Sequence, residues 1–490
     1  MVGVSPTTPK IKRKDFIRLA AFGAAGFYLT GCGTGNSEEK NEEEGRPKTE
    51  GNGKILSEQN VIYLKRGDED YEKLRIGFNK RINKFPAVIA LCKNTDGVVD
   101  AIAEAKKNNF PVAIKSGGHC LEGFSSNDGG MVINLSLLNK IEWGENKNEV
   151  TIGPACKVRE LYDELLPNGK IIPAGSCAGV GIGGLTLGGG YGIFSRRYGL
   201  TCDSLMEVTM VDGNGKVISS RNDNDLLWAC RGGGSGNFGV VTEMKFKTHE
   251  APPTVQSHWF KISKIEIARA EKIFELWFQQ TAFLPATCFS GLVLNGKTLQ
   301  IFLVNTAEEN VDVKNFIETF SKEMDKTTLG KKRPIIDAVK NYYGTQTPVY
   351  LRNSSVGLYN GFDDVKNFIA QVFEKVGNTP GMIYAVNTLG GKIKEGEDSA
   401  YAHRSFNYIS ELQTYWGKPE QEDFLKKRFE EVQQIFADNN IVSEYRNYPS
   451  LNFKNWEEGY YGKNYQQLQQ LKNKYDPDNL FRYEQSVRKS

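Results

Sequence analysis

The sequence predicts an α+β protein in two parts, and three observations carry that reading. From about Lys54 to about Glu250, short apolar runs alternate with segments of helical periodicity. From about Ala251 the texture changes to strand patterns mixed with long amphipathic helices, as in an antiparallel sheet with helices on one face. The 490 residues, 39% of them hydrophobic, are enough for two or three ordinary domains with a sizeable core.

In the first part, "FPAVIALCK" reads as a strand. "TDGVVDAIAEAKKNN" reads as a helix, with an Asp near its start and apolar residues at helical spacing. "FPVAIK", "GGMVINLS" and "NEVTIGPA" add strands, and "KVRELYDELLPNG" is a helix closed by Gly169. "KIIPAG" leads into a glycine run. "LMEVTMVDGNGKVISS" is a hairpin around Gly213–Gly215. "NDNDLLWACRGGGSGNFGVVTEMKFKTH" is a short helix, a glycine loop and a strand. In the second part, "SHWFKI", "SGLVLNG" and "TLQIFLVN" are strands, and "IEIARAEKIFELWFQQTA" and "NVDVKNFIETFSKEMD" are helices. The first part thus spans residues 56–250 and the second 251–440. The last stretch, residues 441–490, ends in a helix and then a turn at Asp476-Pro477.

The N-terminus reads as an address. "KIKRKDFIRLAAFGAAGFYLTGC" has a basic head and an apolar stretch, Leu19 to Thr30. A membrane span needs roughly 20 apolar residues, so this shorter stretch fits an export signal, residues 1–32. "LTGC" resembles a bacterial lipobox, with Cys32 the lipidated first residue of the mature chain. "RKDFIR", Arg13 to Arg18, resembles a twin-arginine motif with Lys14 in the second arginine's place. Residues 33–55 are polar, acidic and Gly-rich, as in a flexible tether. The expected location is outside the cytoplasm, lipid-anchored at the bacterial cell envelope.

Net charge is +3 with Lys and Arg scattered, which argues against nucleic acid as a partner. The eight cysteines form no CxxC and have no zinc spacing. Removing Cys32 leaves an odd number, so at least one thiol stays outside any disulfide.

Two glycine-rich segments carry the chemistry. "IKSGGHC", Ile114 to Cys120, follows a strand directly, and its backbone N–H groups can form a phosphate-holding nest. His119 at its end has three available jobs: metal ligand, acid/base, or covalent anchor. The other histidines, His249, His258 and His403, show no ligand spacing, which disfavours metal. "PAGSCAGVGIGGLTLGGGYG", Pro173 to Gly192, contains G-x-G-x-x-G, and Asp203 follows at a dinucleotide-fold distance. The run lies deep inside its domain, however, and its glycines continue where a Rossmann helix should be under way. No Gly-Lys-Ser/Thr follows any glycine cluster, so Walker A fails too.

Taken in order, "IKSGGHCLEGFS", the glycine run, "RGGGSGNFGVVTEMKF" and "GKNYQQLQQLKNKYDPDNLFRYEQSV" resemble the berberine bridge enzyme-like family of FAD-linked oxidases. The resemblance implies a two-part FAD-binding domain of PCMH type plus a substrate domain whose antiparallel sheet is covered by helices. It implies a flavin bonded to His119 at its 8-methyl carbon and, through the "GSCAGVG" match, to Cys177 at C6. Ser116, Gly117 and Gly118 would cradle the pyrophosphate. Gly181, Gly183 and Gly184 would let backbone approach the cofactor, since they lack Cβ. Val240 and Val241 would lie near adenine, and Asn464 would reach the flavin from the C-terminal segment. Tyr191, Glu411 and Tyr448 match or approximate active-site positions, with Glu411 or a tyrosine as base; each also has a plain packing reading.

The chain departs from the family pattern in places. Lys115 stands where Arg is frequent, keeping the charge, and Leu185 stands where many members have His. Val180 stands three residues after Cys177, where a small or β-branched residue in the family implies oxygen reactivity. The resemblance therefore implies an exported FAD oxidase with a small-molecule substrate, a sugar hydroxyl first and an aromatic compound second, and O2 as acceptor. The alternatives are a flavin dehydrogenase with another acceptor and a non-catalytic ligand-binding lipoprotein.

Overall fold

The structure, a computed structural model, describes residues 59–490. The export signal, Cys32 and the tether lie outside the described residues.

The first part holds two main sheets, beside a two-stranded pairing of Lys170–Ile171 with His249–Glu250. Strands Val61–Leu64, Val88–Cys92, Met131–Asn134 and Val112–Lys115 lie in that spatial order. The last three run parallel, which requires a crossover, supplied by helix Thr95–Lys107. Asn94 caps that helix by accepting from Gly97 N at 2.9 Å, and Val98, Ala101, Ile102 and Ala105 form its buried stripe. Parallel strands deliver their C-terminal ends to one edge, and the loop carrying Ser116–His119 leaves from there.

The second sheet is antiparallel, ordered Ile141–Trp143, Glu149–Ile152, Gly239–Lys247, Leu205–Asp212, Val217–Ser219. Helix Ile182–Leu187 is short and stops at Gly188. Gly189 and Gly190 follow at φ +110° and +81°, a region that glycine enters without a Cβ penalty.

The second part is one large antiparallel sheet. Its order is Lys326–Leu329, Thr254–Ser263, Thr298–Asn305, Cys288–Asn295, Met382–Thr388, Tyr408–Trp416, Tyr350–Tyr359, with Arg333–Pro334 also pairing to Thr254–Ser263. Helices Ile267–Thr281, Val311–Glu323, Ile369–Gly377 and Glu422–Asp438 cover one face. Leu292, Tyr384 and Leu412 pack there against Phe274, Phe316 and Phe373. The opposite face carries Phe289, Ile383 and Ala385 into the core shared with the first part. With both faces buried, Met382–Thr388 and Tyr408–Trp416 are buried at every residue and show no alternation of buried and exposed positions.

The C-terminal helix Tyr465–Tyr475 packs back onto the first part. Lys472 Nζ donates to Asn237 O at 2.7 Å and Tyr475 Oη to Asp223 at 2.8 Å. Lys472 also forms a fully buried ion pair with Asp476 at 2.7 Å. Asp476 accepts in addition from Leu480 N and Phe481 N, so the pair is hydrogen-bonded as well as charge-matched. Among the described residues no disulfide forms, no acidic or His/Cys cluster could hold a metal, and no helix is long and apolar enough to cross a membrane.

Candidate active site

A long cavity runs from the parallel strands to one face of the large sheet. Its floor is two loops in backbone contact. A Cβ on Gly117 would sit 2.4 Å from Gly181 N, and one on Gly181 would sit 2.7 Å from Gly117 N. No L side chain fits either position. Gly183 is similarly pressed, its Cβ position 2.8 Å from Pro154 O. Gly184 differs: nothing lies within 4 Å of its Cβ position, and it lines the cavity. Thus Gly181 and Gly183 are glycine because protein backbone abuts them. Gly184 alone of the three has open space at its Cβ position, although all three line the cavity.

The Ser116–His119 loop is braced from below. Phe78 N donates to Gly118 O at 2.9 Å, and Phe78 stacks on the His119 ring at 4.0 Å between centroids. Gly118 has φ +68°. Lys115 turns away from the cavity and donates to the carbonyls of Leu74 and Ile76 at 2.6 and 2.5 Å. Burial pushes its ammonium down to about 8. Its charge is therefore committed to two carbonyls. Burial, helped by the charge of Lys157, pushes the His119 imidazole down to about 4, so it is neutral at pH 7. Burial pushes the Cys177 thiol up to about 12, and the charge of Glu411 adds to that shift; both side chains line the cavity.

The far wall is the cavity face of the large sheet. Along Tyr408–Trp416, Glu411 and Gln413 point to the cavity while Leu412 points to the helices. Asn353 and Asn387 reach the same wall from the flanking strands. Burial pushes the Glu411 carboxyl up to about 7, and hydrogen bonds from Asn353 and Gln413 pull the other way. Tyr448 Oη donates to Tyr191 Oη at 3.1 Å, and Asn387 Nδ2 approaches Tyr191 Oη at 3.4 Å. The rings of Tyr191, Tyr445 and Tyr448 meet edge to face, 5.2 to 5.9 Å apart. Burial, then the charge of Glu411, holds the Tyr448 phenol well above the usual range. Asn447 ties this corner to the glycine run, its Nδ2 donating to Leu185 O at 2.9 Å.

The cavity therefore collects Ser116, Gly117, Gly118, His119, Cys177, Gly181, Gly183, Gly184, Val241, Tyr191, Glu411 and Tyr448. Two expected residues lie elsewhere. Val240 alternates with Gly239 and Val241 along its strand, so it points into the core beside Val211 and Phe481. Asn464 spends its amide on the carbonyls of Ser399 and Ala400, both at 3.3 Å, and does not line the cavity. Asp203, the acid at dinucleotide spacing, accepts from Leu200 N at 2.8 Å and pairs with Arg404 at 2.6 Å. Both interactions engage it structurally. The sequence reading missed Asn353, Asn387, Gln413 and Arg446. Only Gln413 had a legible signal, two residues from Glu411 on the same strand face.

The donor set fits FAD. One end is apolar, with Leu135, Val241 and Phe481; the middle is the glycine-rich nest; the other end is aromatic and hydrogen-bonding. An adenine, a diphosphate and a flat redox ring ask for those surroundings in that order.

Known proteins agree with this fit. The FAD binding domain family model matches residues 86–221, and the Berberine and berberine like model matches residues 444–488. The uncharacterized FAD-linked oxidoreductase YgaK of Bacillus subtilis (strain 168) is 30% identical over 86% of this chain and 95% of its own. The glucooligosaccharide oxidase of Sarocladium strictum is 25% identical over 87% of this chain and 92% of its own. The solved structure of Physcomitrella patens BBE-like 1 superposes with a TM-score of 0.80 at 22% identity, covering 88% of this chain and 98% of that one.

Proposed function

Because the chain belongs to the berberine bridge enzyme-like family of FAD-linked oxidoreductases, we propose that it oxidises an alcohol-like small molecule, with Glu411 as base, O2 as acceptor and FAD attached through His119 and Cys177. The observation that carries this reading is Glu411 itself. It is a buried carboxyl, tuned to about 7, on the cavity wall near Cys177. A base at that value is half ionised near neutral pH and can take a hydroxyl proton. Bound flavin would accept the hydride at N5 and pass the electrons to O2. Asn353 and Gln413 orient the carboxylate. The Tyr448–Tyr191 hydrogen bond offers a phenol pair against which the substrate hydroxyl can be placed. Asn387 and Gln413 supply amide donors and acceptors suited to further hydroxyls, which favours a sugar-like substrate over a purely aromatic one.

Covalent attachment is supported by the chemistry of His119 and the position of Cys177. A neutral His119 has a ring nitrogen available for bonding. Cys177 sits on the loop that abuts the His119 loop through Gly117 and Gly181. Val180 lines the same cavity and supports oxygen as acceptor on the family pattern. We propose as well that residues 1–32 direct export and that Cys32 carries the lipid.

Acid precipitation of the holoprotein tests attachment. Yellow colour should stay with the pellet. His119→Ala and Cys177→Ala should each retain it and the double variant should release it. An unchanged denatured-flavin spectrum in Cys177→Ala removes the second bond. Stopped-flow reoxidation in air separates oxidase from dehydrogenase, and a colourless protein would favour a non-catalytic binder. The intact mass of the mature N-terminus tests the lipid.

A further inference from the structure

We infer that Arg446 is the protein's counter-charge for the diphosphate of bound FAD. The inference rests on the FAD reading and concerns a residue that the family motifs did not bring forward.

Arg446 is 7% exposed and lines the cavity. Its guanidinium is always protonated at working pH, so a full positive charge is buried there. Other well-buried arginines have either their charge or their whole fork of donors answered. Arg81 pairs with Glu122 at 2.7 Å, Arg404 with Asp203 at 2.6 Å, and Arg196 donates to a set of backbone carbonyls that includes Cys288 O and Leu284 O. Arg446 has no carboxylate within ion-pair distance among the described residues. Its hydrogen bonds go to two neutral phenols, Nε to Tyr461 at 3.0 Å and Nη2 to Tyr483 at 2.8 Å. The rings of Phe124, Tyr460 and Tyr483 stand 5.4 to 5.7 Å from its central carbon. These neighbours hold the fork in place and leave Nη1 without a protein acceptor among the described residues.

A fixed, desolvated cation with spare donors is a site for an anion. Its location says which part of FAD. Phe124 follows His119 on the nest loop, and Tyr483 packs on Gly236, whose Cβ position is also 3.9 Å from Ile114 on the strand leading into the nest. The guanidinium therefore stands at the "GGGSG" loop, with the Gly234 Cβ position 3.3 Å from Nε, and beside the nest loop through Phe124. The diphosphate is the anionic part of FAD that belongs there. Among the described residues lining the cavity, Arg446 is the only Arg or Lys.

Phosphorus NMR of the purified holoprotein reads the diphosphate directly, and the flavin midpoint potential reads the ring. Arg446→Gln removes one charge-assisted hydrogen bond and should lower the flavin-bearing fraction of chains by about tenfold. Arg446→Lys, which keeps the charge without the fork, should keep flavin and shift the diphosphate resonances, with the midpoint potential unmoved. If Arg446→Lys leaves the phosphorus resonances in place, or moves the potential and not the resonances, the inference is overturned. A wild-type protein lacking both flavin absorbance and a diphosphate signal would instead overturn the FAD reading itself.

Discussion

The two sides of the cavity are built from opposite materials. The floor is backbone: Ser116–His119 and Gly175–Gly184 meet at the Gly117–Gly181 seam, where atoms as close as 2.4 Å to a Cβ position leave no room for a side chain. The wall is side chain: Glu411, Asn353, Asn387 and Gln413 project from adjoining strands whose other faces are sealed under helices. Backbone contact makes the seam glycines, Gly117 and Gly181, intolerant of any side chain whatever its chemistry. The wall tolerates isosteric change in packing and depends wholly on its functional groups.

The largest expected break is on the wall. Glu411→Gln keeps the shape and removes the base, so turnover should fall by about 10²–10⁴-fold while flavin content stays the same. Absorbance at the flavin band and steady-state kinetics measure both.

The pH profile sharpens the same point. Only ionised Glu411 accepts a proton, so kcat/KM should rise about tenfold per pH unit below about 7 and level off above it. The folded value lies above the ordinary carboxylate value. Stability linked to this group is therefore full at low pH and is lost as pH rises through about 7. In Glu411→Gln that component of the stability profile should vanish.

The floor breaks differently. Gly117→Ala forces the seam apart and should cost about 1–3 kcal/mol of stability, read as a lower denaturant midpoint together with a drop in bound flavin. Gly184→Ala has open space at its Cβ position, so stability should hold while flavin content falls. Equal losses of stability in the two variants would erase the distinction between protein-facing and cavity-facing glycines.

The smallest effect belongs to Tyr448→Phe. Removing one phenol-to-phenol hydrogen bond should cost about 0.5–1.5 kcal/mol, roughly a twofold to tenfold drop in kcat/KM, with flavin content intact. A far larger loss would move Tyr448 from placing the substrate to holding its proton.

Much of the floor is legible in the sequence. A strand running into Ser-Gly-Gly-His, and a glycine run with Cys177 before it, are local patterns with local causes, since absence of Cβ is written in the sequence. The strands and helices of the first part, the Gly169 stop and the turn at Asp476-Pro477 are local in the same sense. The sequence also singles out Tyr191, Glu411 and Tyr448 as candidates, although their mutual contacts cannot be read from it. The rest needs the tertiary structure. Val240 and Val241 are neighbours in sequence, and only the pleat of Gly239–Lys247 sends one to the core and the other to the cavity. Asn464 lies in a matching motif, but carbonyls from residues 399 and 400 take its amide. Asn353, Asn387 and Gln413 come together because strands far apart in sequence pair in register, and burial of both sheet faces hides their period. Arg446 reads as an ordinary arginine in "YRNYPS"; that it is buried, caged by aromatic rings and without a carboxylate is set by segments more than two hundred residues away as well as by its neighbours. Glycine positions and helix signals arise from short-range sterics, which a sequence records. Burial, charge balance and pKa arise from what the folded chain brings near, which the tertiary structure alone decides.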